Sequence, residues 1–305
     1  MRARSSHNAG CRELSRLKLT PPPPPTPLPT PHNRGEQNAG CGGPPQIPYY
    51  TCALPALIQD WRLKLGSPAL PFGIYHLAAW AATSPAFPLL RLVQSATAAA
   101  LPAVAVCSTL DAGDPAGGPV HSPYKQLPAS RCAAAMQSLV YGRTGAGALP
   151  YLGPAALPPS ASQLRAAAGS GHTQLVLQFE PRTLGGQPLA LNTSVACPGG
   201  VPVGSCEAFA LQRAAPDCAW VASAPLGPVT ASLTPDGQGL VLDLGDSGSI
   251  GGVRGLFGNW PLVQLYSAAG LPAEPWLYNV TGAGPGCPVP QAEAAEAWVD
   301  SRQHA

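Results

Sequence analysis

One histidine in this sequence follows two aspartates at the end of an apolar run. Asp111 and Asp114 come first, and His121 lies in the segment GDPAGGPVHSPYKQ, residues 113–126. A carboxylate bound to one imidazole nitrogen fixes the tautomer, which leaves the other nitrogen to accept a proton from a serine. The pattern predicts His121 as a general base, with Asp114 and Asp111 as the candidates to orient it. The competing interpretation is structural: a surface histidine and two turn or cap aspartates.

A second candidate lies upstream, in the octapeptide NRGEQNAG, residues 33–40. Gly35 can offer a backbone N–H and Asn38 a side-chain amide, and two such donors can stabilise one developing oxyanion. The same octapeptide could also be an ordinary polar loop.

The elements around these residues are predicted in the order helix, strand, strand, helix, which is an α/β layer pattern. In CALPALIQDWRLKLG the apolar residues recur at helical spacing and predict one buried face that ends at Gly66: Leu54, Leu57, Ile58, Trp61 and Leu65. LPFGIYHLAAW and LPAVAVCSTLDAGD predict buried strands. YKQLPASRCAAAMQSLVYG predicts a helix, with Pro128 tolerated in its first turn. Function collects at the carboxyl ends of strands in such sheets, where His121 and its aspartates are placed.

The rest of the chain divides by composition. Residues 1–33 carry a five-proline run and are expected to be a disordered segment. Residues 34–160 form the predicted α/β part. Residues 165–285 contain short apolar runs between turn residues, and TPDGQG between two of them predicts a hairpin in an all-β sandwich-like module. Residues 286–305 form a tail.

Composition excludes several classes of function. The net charge of +2 and the 10% of charged residues give no general attraction to nucleic acid. No apolar run approaches the roughly 20 residues of a membrane span, and the N-terminus has no apolar core of signal-peptide length. None of the nine cysteines sits in a CxxC pair, so no metal site is expected. The closely spaced Cys197, Cys206 and Cys218, with sequons at Asn192 and Asn279, favour a secretory protein.

Several blocks together resemble the sialate O-acetylesterase branch of the SGNH hydrolases. RGEQNAG followed by YYTCALPALIQDWR is similar to that family's Gln-Gly-Glu-x-Asn loop and the helix after it. PFGIYH, Arg91, Gln94, DAGD, HSPYKQ and LVQLYSAAGLPAEPW follow in the family's order. The resemblance covers about residues 34–280.

This resemblance implies an SGNH-like α/β fold followed by the β module. It implies removal of O-acetyl groups from sugars, notably sialic acids, through a serine acyl-enzyme. Gly35 and Asn38 match the oxyanion-hole positions, His121 matches the base, and Asp114 or Asp111 would orient it. It implies no metal and no organic cofactor, an O-acetylated sugar or glycan as partner, and an extracellular or lysosomal location.

The sequence departs from the family pattern in ways that bear on catalysis. Arg34 replaces the loop glutamine, HSP replaces His-Pro, and Gly118 stands where many SGNH enzymes carry the acid. The family's nucleophile lies in a Gly-Gln-Ser-Asn motif after the first strand, and no such motif occurs here. We therefore assign no nucleophile, and we expect an N-terminally incomplete domain that lacks the first strand of its sheet.

Two alternatives to an esterase stay open. The first is a non-catalytic sugar-binding or interaction protein that uses the β module, with Trp220, Trp260 and Trp276 as possible sugar platforms. Each of these tryptophans is expected in the core more often than on a sugar-binding surface, because large aromatic side chains dominate core burial. The second alternative is a mispredicted gene product that does not fold.

Overall fold

The computed structural model describes residues 46–81, 84, 86–115, 121–143, 150–202, 205–215, 217–223 and 227–280. The predicted proline-rich segment and tail, together with Gly35 and Asn38, lie outside these residues. Within them the protein has a mixed α/β fold, with a small parallel sheet and its helices followed by antiparallel sheets.

The first part, which we call the parallel layer, consists of α1 (Gln46–Lys64), β1 (Phe72–Tyr75), α2 (Ala86–Ala100), β2 (Val104–Cys107) and α3 (Gln126–Tyr141). The two strands pair in parallel, from Phe72 opposite Val104 to Tyr75 opposite Cys107. Parallel neighbours need a crossover, and α2 provides it. The sequence did not predict α2, although its Pro88 lies in the first turn, where proline is tolerated.

Helix α1 is confirmed, but its predicted buried face is wrong. Ile58 is buried, whereas Leu57, Trp61 and Leu65 are more than half exposed. The buried positions are instead Ile47, Thr51, Pro55, Ile58 and Arg62, which also recur at three- and four-residue steps. Arg62 determines which face of α1 is buried, because its guanidinium binds two backbone carbonyls inside the protein. It donates to the carbonyl of Leu70, at 2.9 and 3.0 Å, and to that of Pro102, at 2.7 Å.

Helix α3 begins two residues before Pro128, so the prediction that this proline lies in the first turn is confirmed. The helix ends at Gly142, whose φ of 60° is the left-handed conformation that glycine adopts without a Cβ penalty. A disulfide between Cys107 and Cys132 fastens α3 to the end of β2. The start of α3, which follows His121, is thereby held near the strand end.

The second part, which we call the sandwich, contains two four-stranded antiparallel sheets. The first sheet has the order β3 (Leu164–Ala166), β4 (Thr173–Gln178), β10 (Gly239–Asp243) and β9 (Thr230–Leu233). The second has the order β14 (Trp276–Asn279), β11 (Ile250–Gly255), β7 (Phe209–Arg213) and β8 (Trp220–Ala222). The hairpin predicted at TPDGQG is confirmed as the connection between β9 and β10.

Short elements complete the described part of the chain. The remaining helical elements are the 3-10 turn Ala161–Gln163 and α4 (Pro181–Leu184). The remaining strands form two small pairs: β5 (Ala190–Leu191) with β13 (Leu265–Tyr266), and β6 (Cys206–Glu207) with β12 (Trp260–Pro261). No helix in the described ranges combines the length and the apolar character needed to cross a membrane.

Apolar cross-strand pairs fill the space between the two large sheets. Leu240 lies opposite Leu177 and Leu242 opposite Leu175, and all four side chains are fully buried. On the second sheet Trp276 lies opposite Gly255, and a Cβ at Gly255 would come within 2.1 Å of the indole ring. Only glycine therefore fits beneath this tryptophan.

The predicted sugar platforms do not form an exposed surface. Trp276 is 2% and Trp260 8% exposed, and both belong to the main hydrophobic core. Trp220 is half-buried, and its ring is covered by the Arg254 guanidinium at 4.3 Å from the ring centroid. The burial of Trp260 and Trp276 agrees with the expectation that such residues belong to the core, because an indole ring gains more free energy there than at the surface.

Arg91 joins the parallel layer to the sandwich. Its guanidinium donates to the carbonyls of Leu77 at 2.7 Å and Ala78 at 2.8 Å, which follow β1. It also donates to the carbonyls of Gly258 at 2.7 Å and Asn259 at 2.9 Å, which lie between β11 and β12. Burial lowers the pKa of Arg91 to about 9, so the side chain still carries its charge at neutral pH.

Candidate active site at the end of strand β2

The carboxyl ends of β1 and β2 are tied together directly. The hydroxyl of Thr109, two residues after β2, donates to the carbonyl of His76, one residue after β1. The backbone N–H of His76 donates to the carbonyl of Cys107. These two hydrogen bonds therefore hold in place the backbone that directly follows β2.

Asp111 lies on this loop and is held by Arg131 of α3. The two carboxylate oxygens accept hydrogen bonds of 2.6 and 2.8 Å from the guanidinium, which also donates to the carbonyl of Ser108 at 3.0 Å. Tyr266 bonds the same carboxylate; burial and the negative charge of Asp111 raise the pKa of this phenol to about 12. Asp111 therefore fastens the loop to α3 and to β13, and it does not contact His121.

The next part of the loop packs against the sandwich. A Cβ at Gly113 would come within 2.6 Å of the Ala79 Cβ and 2.8 Å of the Trp260 ring, so this position has no room for a side chain. Asp114, the preferred orienting acid, follows immediately and is half-buried. The loop thus carries Asp114 along the boundary between the parallel layer and the sandwich.

His121 lies on the exposed surface just before α3. Ser122, next to it, is buried, and its hydroxyl accepts the backbone N–H of Tyr124 at 3.1 Å, which shapes the entry into the helix. No hydrogen bond or ion pair of the His121 side chain is found within the described residues. The structure therefore presents an accessible imidazole but does not bring it together with Asp114 or Asp111.

A buried serine–histidine contact exists elsewhere, and sequence reasoning missed it. The His76 Nε2 and the Ser95 Oγ lie 2.9 Å apart, and the Ser95 hydroxyl donates to Glu274 Oε2 at 2.7 Å. Ser95 and Glu274 are 179 residues apart, and no local pattern signals such a pair. This is not a hydrolase triad, because Glu274 binds the serine, while the buried His76 Nδ1 has no hydrogen-bond partner.

A cleft of about 430 Å³ lies at the other end of α3. Its lining includes Ser138, Arg143, Tyr151 and Arg182. Ser138 is twelve residues after the start of α3, which corresponds to roughly 18 Å along the helix axis. The cleft is therefore separate from the His121 loop.

The described residues contain no group of three or more histidine, cysteine, aspartate or glutamate side chains that could hold a metal ion. Their six cysteines are all disulfide-bonded, which removes thiolates from the possible nucleophiles there. The chemistry available near the strand end is that of an exposed imidazole, His121, with the Asp111 carboxylate held by Arg131 on the preceding part of the chain. An imidazole in this position can accept a proton from a hydroxyl and return it to a leaving group.

Comparison with solved structures finds a protein whose overall structure is similar. The chain is similar to a carbohydrate acetylesterase from Xanthomonas citri, with a TM-score of 0.56 and 25% sequence identity. The match covers 75% of this chain and 45% of that one, so the chain spans less than half the length of its structural neighbour. No protein-family model matches the chain, and no curated protein matches it.

Proposed function

We propose that this protein is a carbohydrate O-acetylesterase of the serine-hydrolase type, with the α/β part built as an SGNH hydrolase. The similarity to a carbohydrate acetylesterase over 75% of the chain carries the proposal. The position of His121 after the end of a parallel strand supports it, because catalytic groups gather at that edge of an α/β sheet.

In the proposed reaction His121 acts as the general base. It accepts the proton of a serine hydroxyl as the serine oxygen attacks the acetyl carbonyl, and it then gives that proton to the departing sugar oxygen. In a second cycle His121 accepts a proton from water as the water oxygen attacks the acyl carbonyl, and it returns that proton to the serine oxygen as acetate leaves. Gly35 and Asn38 donate to the oxyanion in both steps, and Asp114 orients His121 when the site is assembled. The serine is not assigned to a residue of this chain.

The substrate class we propose is an O-acetylated sugar, with O-acetylated sialic acids as the specific candidate. The sialate assignment rests on the resemblance of the RGEQNAG, PFGIYH and HSPYKQ blocks to the sialate O-acetylesterases. A secretory location, extracellular or lysosomal, accompanies this proposal. The disulfides of the described residues support it, since such bonds persist in oxidising compartments.

The test measures acetate released from O-acetylated sialic acid and from an acetylated neutral sugar, using protein expressed from its native locus. His121→Ala should lower the rate at least about 100-fold, because general-base catalysis contributes that much or more. His172→Ala is the matched control, since His172 lies on the sandwich, beside Asp243 at 3.5 Å. Wild-type activity in the His121→Ala protein, or no acetate release by the wild type, would overturn the proposal.

A further inference from the structure

A partly buried cluster of His76, Ser95 and Glu274 connects the two parts of the molecule. His76 follows β1 and Ser95 lies on α2, so both belong to the parallel layer. Glu274 lies between β13 and β14, on the side of the sandwich, and its backbone N–H donates to the carbonyl of Pro154. His76 Nε2 lies 3.4 Å from Glu274 Oε2, with the Ser95 hydroxyl bonded to both groups.

The single hydrogen of the Ser95 hydroxyl links the protonation of its two neighbours. When Glu274 is ionised, Ser95 donates to the carboxylate, and His76 Nε2–H must donate to Ser95. When Glu274 is protonated, its O–H can donate to Ser95, and Ser95 then donates to an unprotonated His76 Nε2. The chain of hydrogen bonds stays intact in both states and only reverses its direction.

Burial acts in opposite directions on the two titratable groups. The His76 side chain is fully buried, and burial, with the nearby positive charge of Arg91, lowers its pKa to about 3. The Glu274 side chain is one-fifth exposed, and its burial raises its pKa to about 7 against the opposing hydrogen bond from Ser95. Among the described residues, Arg91 of α2 is the charged group that faces this pair.

We propose that His76 and Glu274 are a compensating pair that keeps the junction between the parallel layer and the sandwich equally stable across mildly acidic pH. The pair binds one proton in total, while other titratable groups of the chain gain or lose theirs. A junction that contained only one of these groups would weaken as the pH changed.

The compensation follows from counting protons. A buried glutamate whose pKa rises from 4.5 to about 7 contributes most stability below pH 4.5 and loses it as the pH rises through 7. A buried histidine whose pKa falls from 6.5 to about 3 contributes most stability above pH 6.5 and loses it as the pH falls through 3. Between pH 4.5 and 6.5 the folded and unfolded pairs each bind one proton, so the two slopes cancel.

The test is a double-mutant comparison of melting temperature against pH. As the pH increases from 4.5 to 6.5, the melting temperature of Glu274→Gln should rise and that of His76→Gln should fall. Each change should differ from the change in wild type over the same pH range by at least about 4 °C. The double variant should regain the wild-type profile. Glu180→Gln, at a more exposed glutamate, is the control and should follow wild type. Single variants that keep the wild-type profile would overturn the proposal.

A second measurement needs no variant and covers the case in which a single substitution prevents folding. The ¹³C resonance of the Glu274 side-chain carboxyl in the wild-type protein should titrate about two pH units above that of a freely exposed glutamate. A Glu274 carboxyl that titrates like an exposed glutamate would contradict the proposal.

Discussion

The parallel layer and the sandwich are stabilised by different kinds of contact. The sandwich is held by apolar side chains that face each other across its two sheets, with Trp276 stacked on Phe209 at 5.8 Å between ring centroids. Within the described residues the parallel layer has two short strands, and buried guanidinium groups bind its loops. Arg62, Arg91 and Arg131 all donate to backbone carbonyls there.

This difference follows from how much apolar area each part can bury. Two four-residue strands cannot cover a large core, and the loops around them leave carbonyl groups away from water. A buried carbonyl without a donor costs about 1–3 kcal/mol, so one arginine that satisfies several of them has a large effect. We conclude that the parallel layer, whose hydrophobic clusters are small, depends more on polar contacts than the sandwich does.

The largest effect should come from the sandwich core. Trp276→Ala removes a side chain that packs on both Phe179 and Phe209, and it should lower the free energy of unfolding by about 4 kcal/mol. Urea denaturation measures this loss. Trp61→Ala is the control, because Trp61 is 52% exposed, and its cost should be about 1 kcal/mol or less. Equal losses in the two variants would contradict the assignment of the core.

The next effect tests the polar contacts of the parallel layer. Arg91→Met keeps an unbranched side chain but removes the guanidinium from four carbonyls, of which only that of Asn259 is known to keep another donor, the backbone N–H of Trp80, and it should lower the free energy of unfolding by about 3 kcal/mol. The same denaturation experiment applies. Arg182→Met, at a side chain that is 75% exposed, should change stability by about 0.5 kcal/mol or less. A small loss in Arg91→Met would mean that packing, and not these bonds, holds the layer.

The smallest expected effect is the difference in stability between two variants, each of which lacks one disulfide from one of the two regions. Removing Cys107–Cys132 from the parallel layer frees a longer loop than removing Cys197–Cys206, with sequence separations of 25 and 9. The chain-entropy model gives losses of about 3.5 and about 2.7 kcal/mol for replacement of each pair by alanine. Chemical denaturation of the two double variants measures the difference. A larger loss for the sandwich pair would show that local packing outweighs loop length.

The sequence predicted the elements whose signals are local. The hairpin at TPDGQG and the first-turn Pro128 depend on neighbouring residues, and both are confirmed. The buried face of α1 could not be predicted, because hydrophobicity favours Trp61 over Arg62 until the carbonyls of Leu70 and Pro102 are known. The contact of Ser95 with Glu274 is also invisible in sequence, since only the packing of the two regions brings these residues together.

For the candidate site, the sequence placed Asp111 and His121 after the end of β2. In the structure both residues lie between β2 and α3. It could not predict that Arg131 would take both oxygens of the Asp111 carboxylate, because α3 reaches that carboxylate only in the folded protein. The roles of His121 and Asp114 stay predictions.

The most direct test of the central claim is covalent labelling with a fluorophosphonate, which reacts with a serine activated by a base. We would locate the label by mass spectrometry in the protein expressed from its native locus. The account predicts a single labelled serine whose labelling slows at least about 100-fold in His121→Ala and is unchanged in His172→Ala. Labelling at the wild-type rate in His121→Ala, or a label on Ser95, would contradict it.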